Sequence, residues 1–509
     1  MDVLRELALI IGKHRKRRVE TLDLSEGTNT KIGLFYEGLL KKRFQTDEEA
    51  AAALYGTSKK ASKYQKLKYV LRNRLINNLF FIDVSQPSYN DRQKAYYECY
   101  KEWAAVKILL GKNAKVAAVD LSHNILKQAQ KYEFTELVVD IARMLRLHYG
   151  TIVGDMKKYD YYCTLFEEYE DIWQKENLVE GLYVELMTRY VRTKAQQSEV
   201  HAKAKAFLAQ IEPVLAGYDA YGIQFCGSLI KMIIPSCIND YEKTVAVCES
   251  CVDFFKAKPY VARLPLQIAY QQKLICCIQL KQYEAGKEAA ENALTLMEEG
   301  DFNWFKHQEY FFMLAMHTQK YQEAYQVFYK TLKNTRFSYL PGPVQEIWKI
   351  YEAYVHYLVE VGQITPKESD RRFTKFRLGR FLNDTPIFSK DKRGMNIPIL
   401  IIHILFMIYQ KKYNRAIDRM EAIDKYCSRY LKKDDNFRSN CFIRLLLLIP
   451  QANFHQAAVG RKATKYLKRL QDVSLEVANQ THEIEIIPYE DLWKFAVESL
   501  ENKIYRSRR

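Results

Sequence analysis

The chain has 509 residues, more than a single hydrophobic core normally organises, so we expect several domains or a stack of repeated units. Its 48% hydrophobic and 27% charged residues exclude a disordered chain, while only 19 glycines and 12 prolines disfavour a fold of many strands and turns. The formal net charge of +17 favours anionic partners.

Residues 1–83 are predicted to form a basic N-terminal helical domain. Residues 1–76 contain 17 Lys and Arg against nine Asp and Glu, so about half of the net charge lies there. The first apolar run precedes its charges and lacks a small-residue cleavage site, which does not fit a secretory signal, so we expect a cytoplasmic protein. The densest basic cluster, suited to phosphate groups, RNA or an acidic protein surface, is Arg15, Lys16, Arg17 and Arg18.

Two helices are predicted within residues 46–81. Thr46 with Glu49, and Ser62 with Gln65, fit capping boxes. Gly56 suits the end of the first helix. Two helices joined by a Gly-containing turn are the outline of a helix-turn-helix. The stretch LLKKRFQTDEEAAAALYG resembles the start of the winged-helix domains that some bacterial regulators fuse to tetratricopeptide-like repeats, and this resemblance implies DNA binding.

Basic side chains flank the apolar face of the second of these helices. A projection at about 100° per residue predicts an apolar stripe of Tyr64, Leu67, Leu71 and Leu75. The candidate contacts to nucleic acid or to an acidic partner lie along one border of the stripe and are Lys63, Lys66 and Arg74. Charges that border an apolar stripe are also typical of a solvated helix, which is the alternative interpretation.

A short pattern recurs between residues 100 and 440, as in QKYQEAYQVF at 319–328. A polar pair precedes a tyrosine in six copies, whose tyrosines are Tyr132, Tyr159, Tyr241, Tyr283, Tyr321 and Tyr413. Intervals of 42 and 38 residues occur directly, whereas 82 and 92 fit two periods with a degenerate copy between them. A period near forty indicates stacked helical hairpins, because one hairpin cannot bury its own apolar face.

The polar pair, the tyrosine and an alanine three residues later resemble the turn and second helix of tetratricopeptide-type repeats. The alanines of the clearest copies are Ala324 and Ala416. The resemblance implies an α-solenoid, in which the tyrosines would mark the start of each second helix and the alanines would let helices approach closely. We therefore predict an all-α fold of stacked hairpins, with repeats over residues 91–340 and further helical repeats over 341–509.

Several stretches interrupt the repeats. The segment at 83–93 is a candidate boundary, and Pro341 and Pro343 precede a basic stretch at 366–394 with nine basic and four acidic residues. The apolar run at 397–409 is shorter than the roughly 20 residues of a membrane span, so we predict a buried core helix there. A helix that starts at Pro488 is expected to cap the repeats.

No motif in the sequence indicates catalysis. Cys248 and Cys251 form a lone CxxC without a second ligand pair nearby, which favours structural thiols over zinc. HExxH, Walker and GxGxxG motifs are absent, so we expect no enzyme activity, cofactor or metal. The first hypothesis is a non-catalytic scaffold that binds a protein or nucleoprotein partner through curved and basic surfaces. The alternative is a nucleic-acid-binding transcription regulator with a repeat domain for sensing or recruitment.

Overall fold

The computed structural model describes residues 1, 3–5, 7–8, 30–41, 43–80, 91–192, 197–370, 373, 396–430, 437–471, 485–503 and 505. These residues are predominantly helical and contain no β-strand, so the prediction of an all-α fold is confirmed. The chain divides into two compact units, Met1–Trp173 and Gln174–Arg509. The domain boundaries expected near residues 83–91 and 340 stay predictions.

The first unit contains six complete helices and the start of a seventh in its described part. They are α1 Lys31–Leu40, α2 Asp47–Tyr55, α3 Ser62–Leu79, α4 Asp91–Gly111, α5 Lys115–Lys131, α6 Thr135–His148 and α7 Met156–Arg192. Helices α1 to α3 share one core, which includes Leu4, Phe35, Leu39, Ala50, Tyr64, Leu67, Leu71 and Leu75. The apolar stripe predicted for α3 is therefore confirmed as its buried face.

The second unit is a series of helices in which each packs against the next one in the chain. They are α8 Gln197–Gly217, α9 Tyr221–Ser236, α10 Tyr241–Lys256, α11 Arg263–Leu280, α12 Tyr283–Thr295, α13 Phe302–His317, α14 Tyr321–Lys333, α15 Gly342–Glu360, α16 Asn396–Tyr409, α17 Tyr413–Tyr430, α18 Phe437–Gln451, α19 Gln456–Gln471 and α20 Tyr489–Glu498. Most described side chains of α16 are buried, which confirms the predicted core helix.

One turn geometry recurs along the second unit. After the first helix of each hairpin one residue is left-handed, with φ between 49° and 77°, namely Asn239, Lys281, Gln319, Gly362, Lys411 and Asn453. The next N–H donates to the carbonyl five residues earlier at 2.8–3.0 Å, as in a Schellman motif. Successive turns are 42, 38, 43, 49 and 42 residues apart. The turn at Gly362 lies between Tyr321 and Tyr413, where the 92-residue interval predicts one degenerate copy of the repeated pattern.

The repeated tyrosines fall into two groups. The first residues of their helices are Tyr241, Tyr283, Tyr321 and Tyr413. Ala324, three residues after Tyr321, and Ala416, three residues after Tyr413, are fully buried. The predicted helix start is wrong for Tyr132, which follows the end of α5, because the left-handed residue Glu133 comes after it. It is also wrong for Tyr159, which lies inside the first turn of α7 and is half-buried like Tyr241.

The predicted caps of the N-terminal helices are only partly correct. The hydroxyl of Thr46 accepts the N–H of Glu49 at 3.2 Å, as predicted. The Glu49 carboxylate, however, accepts the N–H of Gln45. The capping box at Ser62 is wrong, since the cap residue of α3 is Ala61, which makes no side-chain cap bond. The backbone is already helical at Ser62, so its hydroxyl lies inside the helix.

The last helix, α20, starts directly after Pro488 as predicted and packs on α16, α18 and α19. It also reaches the turn that precedes α14. Gln319 Nε2 donates to Asp491 Oδ1 at 2.7 Å, and the ring centroids of Tyr321 and Phe495 are 5.9 Å apart. The helix therefore joins several hairpins of the second unit.

Candidate partner-binding surface

The predicted basic contacts in the N-terminal region differ in their environments. Arg15, Lys16, Arg17 and Arg18 lie outside the described residues. On α3, Lys63 and Lys66 are exposed, whereas Arg74 is half-buried. Tyr69 on the same helix is 63% exposed. Arg72 is also exposed. Helix α3 thus offers cations and one aromatic ring to solvent.

Asp47 ties α2 to α3 through two side chains of α3. Tyr64 donates its hydroxyl to Asp47 Oδ1 at 2.6 Å, and Lys68 Nζ lies 2.9 Å from the same atom. Burial by itself would raise the pKa of Asp47, but these two hydrogen bonds lower it below its ordinary value. Lys68 therefore contributes to the contact between α2 and α3.

The geometry of α2 and α3 departs from the families that the sequence resembles there. Residues 56–61 separate the two helices, which is longer than the roughly three- to four-residue turn of a helix-turn-helix. Within residues 43–80, all of which the structure describes, no strand of a winged helix is present.

A different surface of the first unit combines exposed apolar and basic side chains. Helices α4 to α7 are joined by short connections and therefore alternate in direction. The connections at 112–114 and 149–155 consequently lie at the same end of these helices. We call this end, with the adjoining residues of each helix, the turn edge. Burial, and then the positive charge of Lys115, lower the pKa of His148 at this end of the helices.

Six large apolar side chains of the turn edge are exposed to solvent. Between 53% and 87% of each is accessible, and they are Ile108, Val116, Leu147, Ile152, Val153 and Met156. Single exposed apolar residues are normal on a protein surface and need no explanation. Here six of them lie in the connections or in the adjoining helix ends at one end of α4 to α7, and such a concentration of exposed apolar side chains favours an interaction site.

A π-helical turn at Tyr149–Val153 gives the turn edge its shape. A Cβ at Gly150 would lie 2.8 Å from Cδ2 of Tyr159, so only glycine lets α7 pack this closely. Gly154 then closes the turn with φ 73°. The wider π turn leaves Ile152 and Val153 outside the core. Such turns occur frequently at functional sites.

A stack of aromatic rings packs against the π-helical turn of the turn edge. The rings of Tyr149 and Tyr162 are nearly parallel, at 6°, with centroids 5.6 Å apart. His123 stacks on Tyr149 at 6.2 Å, and Lys158 Nζ lies 4.7 Å from the Tyr149 ring. Burial, and then the charge of Lys158, lower the pKa of His123. The stack thus connects the π-helical turn to α5 through His123 and to α7 through Tyr162.

The border of the turn edge is basic. Lys112, Lys115 and Lys157 are exposed and form no ion pair with any described residue. Asp155 accepts the N–H of the third helical residue of α7 at 3.1 Å, so its carboxylate caps that helix. Cations next to apolar side chains suit a ligand that carries both apolar and acidic groups.

Sequence analysis did not identify the turn edge. Its apolar residues lie at or near the ends of helices, where the sequence alone does not distinguish them from core residues. The available signal is the segment GTIVGDM at 150–156, in which two glycines bracket three β-branched residues. A turn with apolar tips is unusual, since turns normally carry polar residues.

The cysteines of the second unit are packed as apolar groups. Cys248 and Cys251 are buried free thiols on α10, and Cys276 and Cys277 are buried free thiols on α11. Burial raises the pKa of Cys251 to about 11 and that of Cys276 to about 12. Across the described residues, no group of three or more His, Cys, Asp or Glu side chains is arranged to hold a metal ion.

No helix formed by the described residues has both the length and the apolarity needed to cross a membrane. Comparison of this chain with known protein families, with curated proteins and with solved structures found no match.

Proposed function

We propose that the protein is a non-catalytic helical-repeat scaffold of the cytoplasm that binds a protein partner through the turn edge. The observation that carries the proposal is the set of six exposed apolar side chains at the turn edge. The stacked hairpins and the helix starts at four tyrosines support a relationship to tetratricopeptide-type repeats, many of which present helices and turns to partners.

The chemistry of the turn edge defines the partner segment. Covering the apolar patch requires apolar side chains, and full burial of one such residue contributes about 1.5–3 kcal/mol. The exposed lysines Lys112, Lys115 and Lys157 favour acidic residues beside them. We therefore expect a segment in which apolar and acidic residues alternate, and we expect the lysines to speed association.

Site-specific photo-cross-linking tests this proposal. A photoreactive phenylalanine analogue at Val116 or Ile152 should capture one protein from the native cytoplasm, with or without nuclease treatment. The matched control places the analogue at Leu34, an exposed apolar position on α1. Capture of the same proteins from all three positions, or capture only before nuclease treatment, would contradict the proposal.

A second candidate function is nucleic-acid binding by the basic N-terminal region. The observation that favours it is the exposure of Lys63, Lys66, Tyr69 and Arg72 on α3, because cations and an aromatic ring suit phosphates and unstacked bases. In this candidate the repeats would recruit or sense another molecule, and the cluster at residues 15–18 would add phosphate contacts.

Salt dependence of binding tests the second candidate. Neutralising Lys63, Lys66 and Arg74 together should weaken nucleic-acid binding and reduce the slope of log K against log salt by up to about 2.7 for three lost contacts on duplex DNA. Half-buried Arg74 is expected to contribute least. A second variant neutralises residues 15–18. If neither variant changes the slope, this region does not hold nucleic acid.

A further inference from the structure

A cavity of about 360 Å³ lies where the end of α14 meets the connection before α13. It is far from the turn edge in sequence and belongs to the second unit. The residues that line it are Glu299, Gln326, Tyr329, Lys330, Lys333, Asn334 and Lys367. Three of these seven are lysines, and the others bring two amides, one phenol and one carboxylate.

Aromatic rings hold the three ammonium groups around the cavity. Lys333 Nζ lies 4.5 Å and Lys367 Nζ 4.8 Å from the centroid of the Tyr329 ring. Lys330 Nζ lies 5.7 Å from the ring of Trp304. None of the three lysines forms an ion pair within the described part of the chain. The hydrogen bond from Lys333, and then one from Ser369, lower the pKa of Tyr329, as expected beside uncompensated cations.

Most nearby carboxylates already have partners. Arg336 Nη1 lies 3.0 Å from Glu298 Oε1 and 3.4 Å from Asp301 Oδ1. Glu299 lines the cavity and accepts a hydrogen bond from Asn334 Nδ2 at 3.4 Å. Glu299 is the one carboxylate among the lining residues.

The residues that line the cavity carry a net positive charge. Three lysines and one glutamate leave two positive charges. The C-terminal end of α14 contributes about half a negative charge. Asp370 lies near Tyr329 but is buried, and its carboxylate accepts the hydroxyl of Tyr325 at 3.3 Å. Lysines at a helix end also stabilise that helix, and Lys330 and Lys333 are in the last turn of α14, whereas Lys367 is not part of it.

We propose that this cavity, with Lys330, Lys333 and Lys367 on its wall, binds a phosphate monoester. An anionic phosphate matches the net positive charge of the lining residues, and lysine is an effective phosphate ligand as a point charge. The cavity is larger than a phosphate group needs and lies near the lower end of the size range of small-molecule pockets. It therefore has room for the group esterified to the phosphate, with the amide of Gln326 as a further donor. The proposal does not depend on the turn edge.

The phosphate monoester can belong to a free metabolite or to a phosphorylated side chain, and calorimetric titration of the full chain distinguishes these sources. One arm uses ribose 5-phosphate with ribose as its control. The other uses a phosphoserine peptide with the unphosphorylated peptide as its control. Binding in one arm identifies the source, and in either arm the unphosphorylated control should not bind.

Variants connect such binding to the cavity. Each of Lys330→Ala, Lys333→Ala and Lys367→Ala should weaken binding about five- to tenfold, as expected for loss of a charge-assisted contact. Glu299→Gln should strengthen binding, since it removes the carboxylate but keeps an acceptor for Asn334. Lys349→Ala, an exposed lysine on α15, is the control and should have no effect.

The proposal is overturned if neither phosphorylated probe binds at millimolar concentration. It is equally overturned if binding persists unchanged in the Lys330→Ala/Lys333→Ala double variant, or if Glu299→Gln weakens binding. These lysines are exposed, so the variants should unfold at the same temperature as the original chain.

Discussion

Gly286 lies so close to Leu314 that a Cβ on this glycine would be 2.6 Å from Cδ2 of Leu314. Gly286 is the third residue after Tyr283, the position that Ala324 and Ala416 occupy in two other hairpins. A small residue at this position therefore determines how closely neighbouring helices of the second unit pack.

Replacing this glycine should destabilise the second unit. The Gly286→Ala methyl would also lie 2.9 Å from Cβ of Cys277, which cannot move without its backbone. We expect a loss of about 1–3 kcal/mol from overpacking, which exceeds the gain in helix propensity of about 1 kcal/mol. Urea unfolding measures the difference.

The matched control is Gly460→Ala within α19. A Cβ at Gly460 has no atom within 4 Å, so the substitution adds helix propensity without a clash. It should raise stability by up to about 1 kcal/mol. Two substitutions of the same type should thus have opposite signs, and a stabilising Gly286→Ala would show that the helices are not in close contact there.

Ala324→Asp tests the same packing position with a charge. Ala324 is fully buried on α14, and an unpaired buried carboxylate should cost more than about 3 kcal/mol. The melting temperature of the second unit should fall accordingly. Ala206→Asp, at an exposed position on α8, is the control. Equal melting temperatures for both variants would place Ala324 at the surface and refute the repeat register.

The sequence predicts the hairpins of the second unit because local chemistry decides them. A tyrosine that begins a helix, together with a small residue three positions later, can be recognised without knowledge of the fold. The turn at Asn453 has the same left-handed geometry as its neighbours but is followed by Phe454 and His455, so the pattern misses it. Helix α5 similarly begins after left-handed Asn113 without a tyrosine.

The candidate binding surfaces are harder to predict, because exposure depends on what the rest of the chain covers. Val116 and Ile152 resemble core residues in the sequence, and the local sequence does not show whether another part of the chain covers them. The lysine cavity brings Lys367 beside Lys330 and Lys333, although 34 residues separate Lys367 from Lys333. Only the fold places these residues together.

Buried histidines should make the protein sensitive to mild acid. Burial lowers the pKa of His307 from its ordinary value of 6.5 to about 4, and its Nε2 lies 3.1 Å from the carbonyl of Ala290. Below pH 6.5 the unfolded chain takes up a proton at this residue, whereas the folded chain does not until about pH 4. Stability therefore falls as pH decreases, by about 1.4 kcal/mol per pH unit for this residue.

His307→Gln removes this titration and keeps a donor for the carbonyl of Ala290. Between pH 7 and pH 5 the variant should lose about 2 kcal/mol less stability than the original chain, because one proton-binding site of the unfolded state is gone. Thermal unfolding at several pH values provides the comparison. Parallel pH profiles for both proteins would mean that His307 is already accessible to protons in the folded state.

The most direct test of the scaffold proposal is the affinity of the captured partner for variants of the turn edge. Ile152→Ser/Val153→Ser should weaken binding by about 2 kcal/mol, or roughly thirtyfold, mainly through faster dissociation. Lys112→Glu/Lys115→Glu should slow association and reduce its dependence on salt. Leu34→Ser, with the same type of change on α1, should leave affinity unchanged. Unaltered affinity in both turn-edge variants would contradict the proposal that this surface binds the partner.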